Sequence, residues 1–139
     1  MSLDLSAPVS EFMTKIVITA TLDQTIQTVC KIMYENNIGS VVIVKREIDG
    51  FSPIGILTER DITHALGSVE LFPTQTPVRE LMSTNMISIK PESSILDAVV
   101  IMHENNIRRL PVIDDNGKMT GIITDKHILG AIAKNPNAT

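Results

Sequence analysis

Apolar residues recur every three or four positions in two stretches of the chain. In one they are Ile26, Val29, Cys30 and Met33; in the other, Ile95, Ala98, Val99 and Met102. The spacing i, i+3, i+4, i+7 draws a single stripe along a helix, and it predicts helices over about 25–37 and 94–106. Each stretch closes on two asparagines and an isoleucine, at 36–38 and 105–107. Asparagine tolerates the left-handed conformation that ends many helices. Pro91 suits a helix entry. Short β-rich runs surround both helices: 17–19 and 86–89 before them, then 41–44 with 54–57 and 110–113 with 119–123 after them. Asp114-Asp115-Asn116-Gly117 is a turn signal between the last two runs. Helical stretches at 59–66 and 125–133 close the pattern.

The two halves therefore carry one layout, β-α-β-β-α, twice. A constant offset puts Val9 on Val78, Glu11 on Glu80, Met13 on Met82 and Ile26 on Ile95. Glu35-Asn36-Asn37-Ile38 then falls on Glu104-Asn105-Asn106-Ile107. The first copy carries extra residues at Arg46–Pro53, after which Gly55-Ile56-Leu57-Thr58 falls on Gly121-Ile122-Ile123-Thr124. Ordered identities of this kind mark an internal repeat. We divide the chain into an N-terminal extension (1–8), repeat 1 (9–66), a linker (67–77), repeat 2 (78–133) and a tail (134–139). A single copy of about 60 residues is marginal alone, so an α/β pair packed sheet to sheet is expected.

Composition narrows the function classes. The 139 residues are 43% hydrophobic and 20% charged, ordinary for a folded soluble protein. Aromatics are 3% and the net charge is −4. Both disfavour a nucleic-acid surface, which needs clustered cations and stacking platforms. One cysteine, Cys30, permits no internal disulfide and is compatible with a cytoplasmic setting. No run approaches the roughly 20 apolar residues of a membrane span, and residues 1–8 lack the features of a signal peptide. The three histidines are dispersed without metal-site spacing. There is no nucleophile–base arrangement and no Gly-rich phosphate loop, so an enzyme is not expected.

The segments Val78-Arg79-Glu80-Leu81-Met82, Gly55-Ile56-Leu57-Thr58-Glu59-Arg60-Asp61 and Asn106-Ile107-Arg108-Arg109-Leu110-Pro111-Val112 resemble the cystathionine-β-synthase (CBS) domain. Two such repeats form a Bateman module, and the resemblance runs from Val9 to Ala133. It implies pseudo-twofold symmetry and a stand-alone regulatory module. The ligand it implies is adenosine-containing: AMP, ADP or ATP first, then S-adenosylmethionine, NAD or a diadenosine polyphosphate, bound as a ligand and not as a cofactor. It also implies a homodimer that signals to an effector protein.

The same resemblance locates the ligand. In the motif Gly-x-x-Thr-x-x-Asp the carboxylate takes the ribose hydroxyls, for which an acceptor-only group with two oxygens is suited. Repeat 1 has Thr58 and Asp61; repeat 2 has Thr124 but His127 in place of the acid. Each cleft takes its Thr and Asp from one copy and its base and phosphate contacts from the other. One cleft would then hold Thr58, Asp61, Met86, Ile87, Ile107, Arg108, Arg109 and Pro111, with Lys126 as a further phosphate contact. Guanidinium suits phosphate through bidentate, charge-assisted hydrogen bonds. The other, degenerate cleft would hold Val17, Ile18, Ile38, Gly39, Ser40, Thr124 and His127, and is expected to be weak, empty or altered in ligand.

Plainer readings stand beside these. Thr58 and Thr124 suit N-caps, and Asp61 suits the first turn of a helix. Arg108 and Arg109 suit solvated ion pairs, and Gly55 and Gly121 suit a strand bend. The competing function is a ligand-independent scaffold or dimerisation module.

Overall fold

Helix α1 (Ile26–Asn36) and helix α3 (Ile95–Asn105) start where a hydroxyl can satisfy the first free amides. Thr25 accepts from the Thr28 N–H, and Ser94 accepts from the Asp97 N–H while Asp97 accepts in return. Both helices stop on an asparagine in the left-handed region, Asn37 at φ 53° and Asn106 at φ 52°. The next amides, of Ile38 and Ile107, donate back to Met33 and Met102, as the Schellman cap requires. In the computed structural model residues 4–134 are described. Residues 1–3 of the expected extension and 135–139 of the expected tail lie outside the described residues.

The architecture is mixed α/β. Strand β1 (Thr19–Ala20) pairs parallel with β2 (Ser40–Glu47), which pairs antiparallel with β3 (Gly50–Thr58); helix α2 (Glu59–Ser68) follows. In the second half β4 (Arg109–Ile113) pairs antiparallel with β5 (Met119–Thr124), and helix α4 (Asp125–Lys134) follows. The expected strand at 86–89 is reduced to one parallel bridge, Ile89 to Val112. The turn before β5 forms as its sequence predicts: Asp114 Oδ1 accepts from the amides of Asn116 and Lys118, and Gly117 has φ 78°. The extra residues of the first copy lengthen its hairpin. They extend both strands to the Glu47–Gly50 pair, with Ile48 and Asp49 at the tip.

The chain folds as two compact units, and their boundaries differ from those of the sequence repeat. Ile18–Met86 form one unit; residues 4–17 join residues 87–134 in the other. Each repeat thus gives its leading segment to the other. Val78 lies in the core of the first unit with Ile26, Val29, Val41, Ile43 and Leu57. Val9, its counterpart, lies in the core of the second with Ile95, Ala98, Leu110, Val112 and Ile123. The two segments are anchored by matching hydrogen-bond pairs, Ser83 with Ile56 and Thr14 with Ile122.

Gly55 and Gly121 make this anchoring possible. A Cβ on Gly121 would sit 2.6 Å from the Thr14 carbonyl oxygen, and one on Gly55 would sit 2.9 Å from that of Ser83. Both glycines also sit beside a break in strand register, opposite Ile43 and Val112, so they serve close backbone approach as well as the expected strand irregularity.

Candidate functional site

In the unit Ile18–Met86, β3 delivers Thr58 to the start of α2. Thr58 Oγ1 accepts from the Asp61 N–H at 3.1 Å, and Asp61 Oδ2 accepts from the Thr58 N–H at 2.9 Å. This reciprocal cap satisfies two end groups of the helix. It engages one carboxylate oxygen. Asp61 Oδ1 has no hydrogen-bond partner among the described residues, and the side chain is half-buried. Ser40, buried, stands in register with Thr58 across the sheet. The Gly39 carbonyl accepts from the Glu59 N–H at 2.9 Å, and Glu59 Oε1 lies where a side chain on Gly39 would begin. Ile38 and Gly39 also line a solvent-open groove of about 550 Å³, with Met33, Tyr34, Glu59 and Ile62. Met86 is half-buried at the end of this unit.

The second unit repeats the geometry with different side chains. Thr124 Oγ1 accepts from the His127 N–H at 3.3 Å, and His127 Nδ1 accepts from the Thr124 N–H at 3.0 Å. His127 is thus a capping residue, in the position that Asp61 holds in α2 and Asp97 in α3. Arg109 stands in register with Thr124, as Ser40 does with Thr58. Its half-buried guanidinium makes no hydrogen bond or close ion pair among the described residues. Burial holds its pKa below the usual arginine value, partly offset by the charge of Asp125. Burial also lowers the His127 pKa; the positive charge of Arg109 adds to this and Asp125 opposes it.

The remaining residues of the two sets divide as follows. Arg108 is exposed, and its carbonyl accepts from the Asp125 N–H at 2.9 Å, the counterpart of the Gly39–Glu59 bond. Pro111 is buried on β4, and its carbonyl accepts from the Ile89 N–H. Ile107 and Val17 are half-buried, and Ile18 and Ile87 more open. Lys126 is exposed, with its amide bonded to Asp125 Oδ1. Of the residues first expected together, Thr58, Asp61 and Met86 belong to one unit. Ile87, Ile107, Arg108, Arg109, Pro111 and Lys126 belong to the other. Of the degenerate set, Ile18, Ile38, Gly39 and Ser40 belong to the first unit, and Val17, Thr124 and His127 to the second. The sequence reading missed Asp125 and Glu59. Their signal was present: an acid directly follows the motif threonine in both copies.

The family model described as "CBS domain" matches residues 9–68 and again 78–134. The chain belongs to the CBS domain family. A CBS domain-containing protein of Bacillus subtilis is 38% identical over 91% of this chain and 84% of its own length. A protein of Methanopyrus kandleri is 39% identical over 89% of this chain, which spans only 62% of that relative. Among solved structures, a CBS domain pair crystallised with 5′-methylthioadenosine and S-adenosyl-L-methionine is 27% identical, with a TM-score of 0.77. That match covers 93% of this chain and 98% of the other. Another solved structure, an uncharacterized conserved protein from Pyrococcus horikoshii, is 26% identical with a TM-score of 0.78, over 93% of this chain and 94% of that one. CBS domain pairs are in general regulatory modules. In this one, no helix among the described residues is long and apolar enough to cross a membrane.

Proposed function

We propose that this CBS pair is a regulatory sensor for an adenosine-containing ligand, with AMP, ADP or ATP preferred, working in the cytoplasm on a partner protein. The observation that carries the reading is the unused oxygen of Asp61. The cap on α2 takes Oδ2 and leaves Oδ1 as an acceptor, half-buried and without a protein donor, as a ribose hydroxyl requires. Thr58 holds that carboxylate in place. Arg109 supplies a half-buried cation that Asp125 influences without a direct ion pair among the described residues, suited to phosphate. Met86, Ile87, Ile107 and Pro111 would hold the base, and Arg108 and Lys126 would add positive charge. In the set around His127 an imidazole stands at the motif position that Asp61 holds in the first copy, and Ser40 stands where the second copy has Arg109; we assign that set weak or no nucleotide binding. The solved CBS pair with methylthioadenosine and S-adenosylmethionine supports an adenosine ligand and keeps sulfonium compounds among the alternatives. Leu96, Val99 and Val100, exposed on one face of α3, support self-association as a homodimer.

The test is calorimetric titration of AMP, ADP, ATP and S-adenosylmethionine into wild type and Asp61→Ala. A charged hydrogen bond contributes about 1.5–3 kcal/mol, so the variant should bind roughly 10- to 100-fold more weakly. Equal affinity in both proteins overturns the role of Asp61. Absence of binding by any of the four, in a folded wild type, favours the scaffold reading.

A further inference from the structure

Three helices of the described chain start with a reciprocal hydroxyl–side-chain cap, and only α4 closes it with an imidazole. From that geometry we infer that His127 makes the start of α4 a proton-sensitive cap, closed when the ring is neutral and open when it is charged. The inference does not depend on the ligand reading.

The chemistry follows from one atom. Nδ1 accepts from the Thr124 N–H at 3.0 Å, so it must carry a lone pair and the ring proton must sit on Nε2. Protonation turns Nδ1 into a donor that faces another donor. Thr124 is buried, so its amide has little access to water as a replacement. The charged groups acting on the ring are Arg109, across the strand pair from Thr124, and Asp125, on α4 itself. The positive end of the α4 dipole adds to the resistance against a cation at this position.

The sign of the pH dependence follows. An unfolded histidine takes its proton near about pH 6.5, and the folded ring takes it at lower pH. As pH falls through this window the unfolded chain binds protons first, so stability falls and then levels off below the folded-state pKa. Opening the cap releases the last residue of β5 and the first turn of α4. Arg109, in register with Thr124, then loses a fixed neighbour.

Nitrogen–proton correlation NMR on the full chain, from pH 8 to pH 5, tests this. The ring of His127 should titrate below the ordinary histidine value of about 6.5, and the Thr124 amide resonance should move with the same midpoint. Exchange protection of that amide, corrected for the intrinsic pH dependence, should drop on the order of tenfold, the usual scale of a lost N-cap. In urea melts His127→Asp, which copies the cap of α2, should remove the stability loss of wild type between pH 7 and pH 5. A Thr124 amide that stays still while His127 titrates overturns the proposal. So does a His127→Asp protein that keeps the wild-type pH loss. Should that variant fail to fold, the wild-type NMR titration decides alone.

Discussion

Asp61 and His127 stand at the third residue of α2 and of α4 and perform the same mechanical task, yet they leave different chemistry unused. The carboxylate has a second acceptor oxygen beyond the cap; the imidazole has only an Nε2–H donor. Capping explains why both copies keep a polar residue here. It does not explain why one copy needs an acid. Local stability and ligand chemistry therefore coincide at one position in one unit and part in the other, and substitutions can separate them.

The comparison presumes that the two units are otherwise built alike, and Gly55 and Gly121 offer its severest check. Each lies against the anchored backbone of a leading segment, at 2.9 Å and 2.6 Å for an added Cβ. Alanine at position 121 should cost about 3 kcal/mol in urea melts and alanine at 55 about 2 kcal/mol, because backbone cannot yield as a side chain tip does. Tolerance of either change would break the parallel. The next largest contrast concerns ligand. Asp61→Ala should lose about 1.4–2.8 kcal/mol of nucleotide affinity, whereas His127→Ala should leave it within about threefold. A third contrast concerns caps. At pH 8 both alanine variants should lose about 1 kcal/mol of stability. As pH falls below about 6.5 the unfolded ring takes its proton before the folded one, so the loss should shrink for His127→Ala as the wild type is itself destabilised. The smallest effect lies in the longer hairpin, where the Arg46 guanidinium sits 5.7 Å from the Phe51 ring centre. Arg46→Ala there should cost about 0.5 kcal/mol, with no effect on ligand.

Much of this was legible before any coordinates. The two long helices could be read from their stripes, their asparagine stops from the repeated Asn-Asn-Ile, and the Asp114–Gly117 turn from its residue types, because each depends on contacts within a few residues. The stripe was less exact at its margin: Val99, aligned with half-buried Cys30, is exposed. The exchange of leading segments was not legible. Val9 and Val78 sit in equivalent sequence positions, and nothing local says that each packs on the other copy's strands. The glycines were legible as a strand irregularity, but their second task, close approach to a segment tens of residues away, was hidden for the same reason. At the candidate site, Thr58 and Thr124 were legible as N-caps and Asp61 as a first-turn acid, and the hydrogen bonds give them those places. That His127 would cap through its ring was not foreseen, since histidine is uncommon in that role. The link between Arg109 and His127 was hidden as well, because it runs through strand register across the β4–β5 hairpin.

The exchanged segments also set an order of events. Ile18–Met86 is continuous in the chain and interrupts the other unit, whose pieces lie on either side of it. A growing polypeptide can therefore complete the inner unit as soon as Met86 is free. The segment around Val9 and Thr14, made earlier still, has to remain without its partner until Ile122 has been made. At about 5–20 residues per second that delay is roughly 5–20 s, during which Val9, Phe12 and Met13 are exposed apolar surface on a nascent chain.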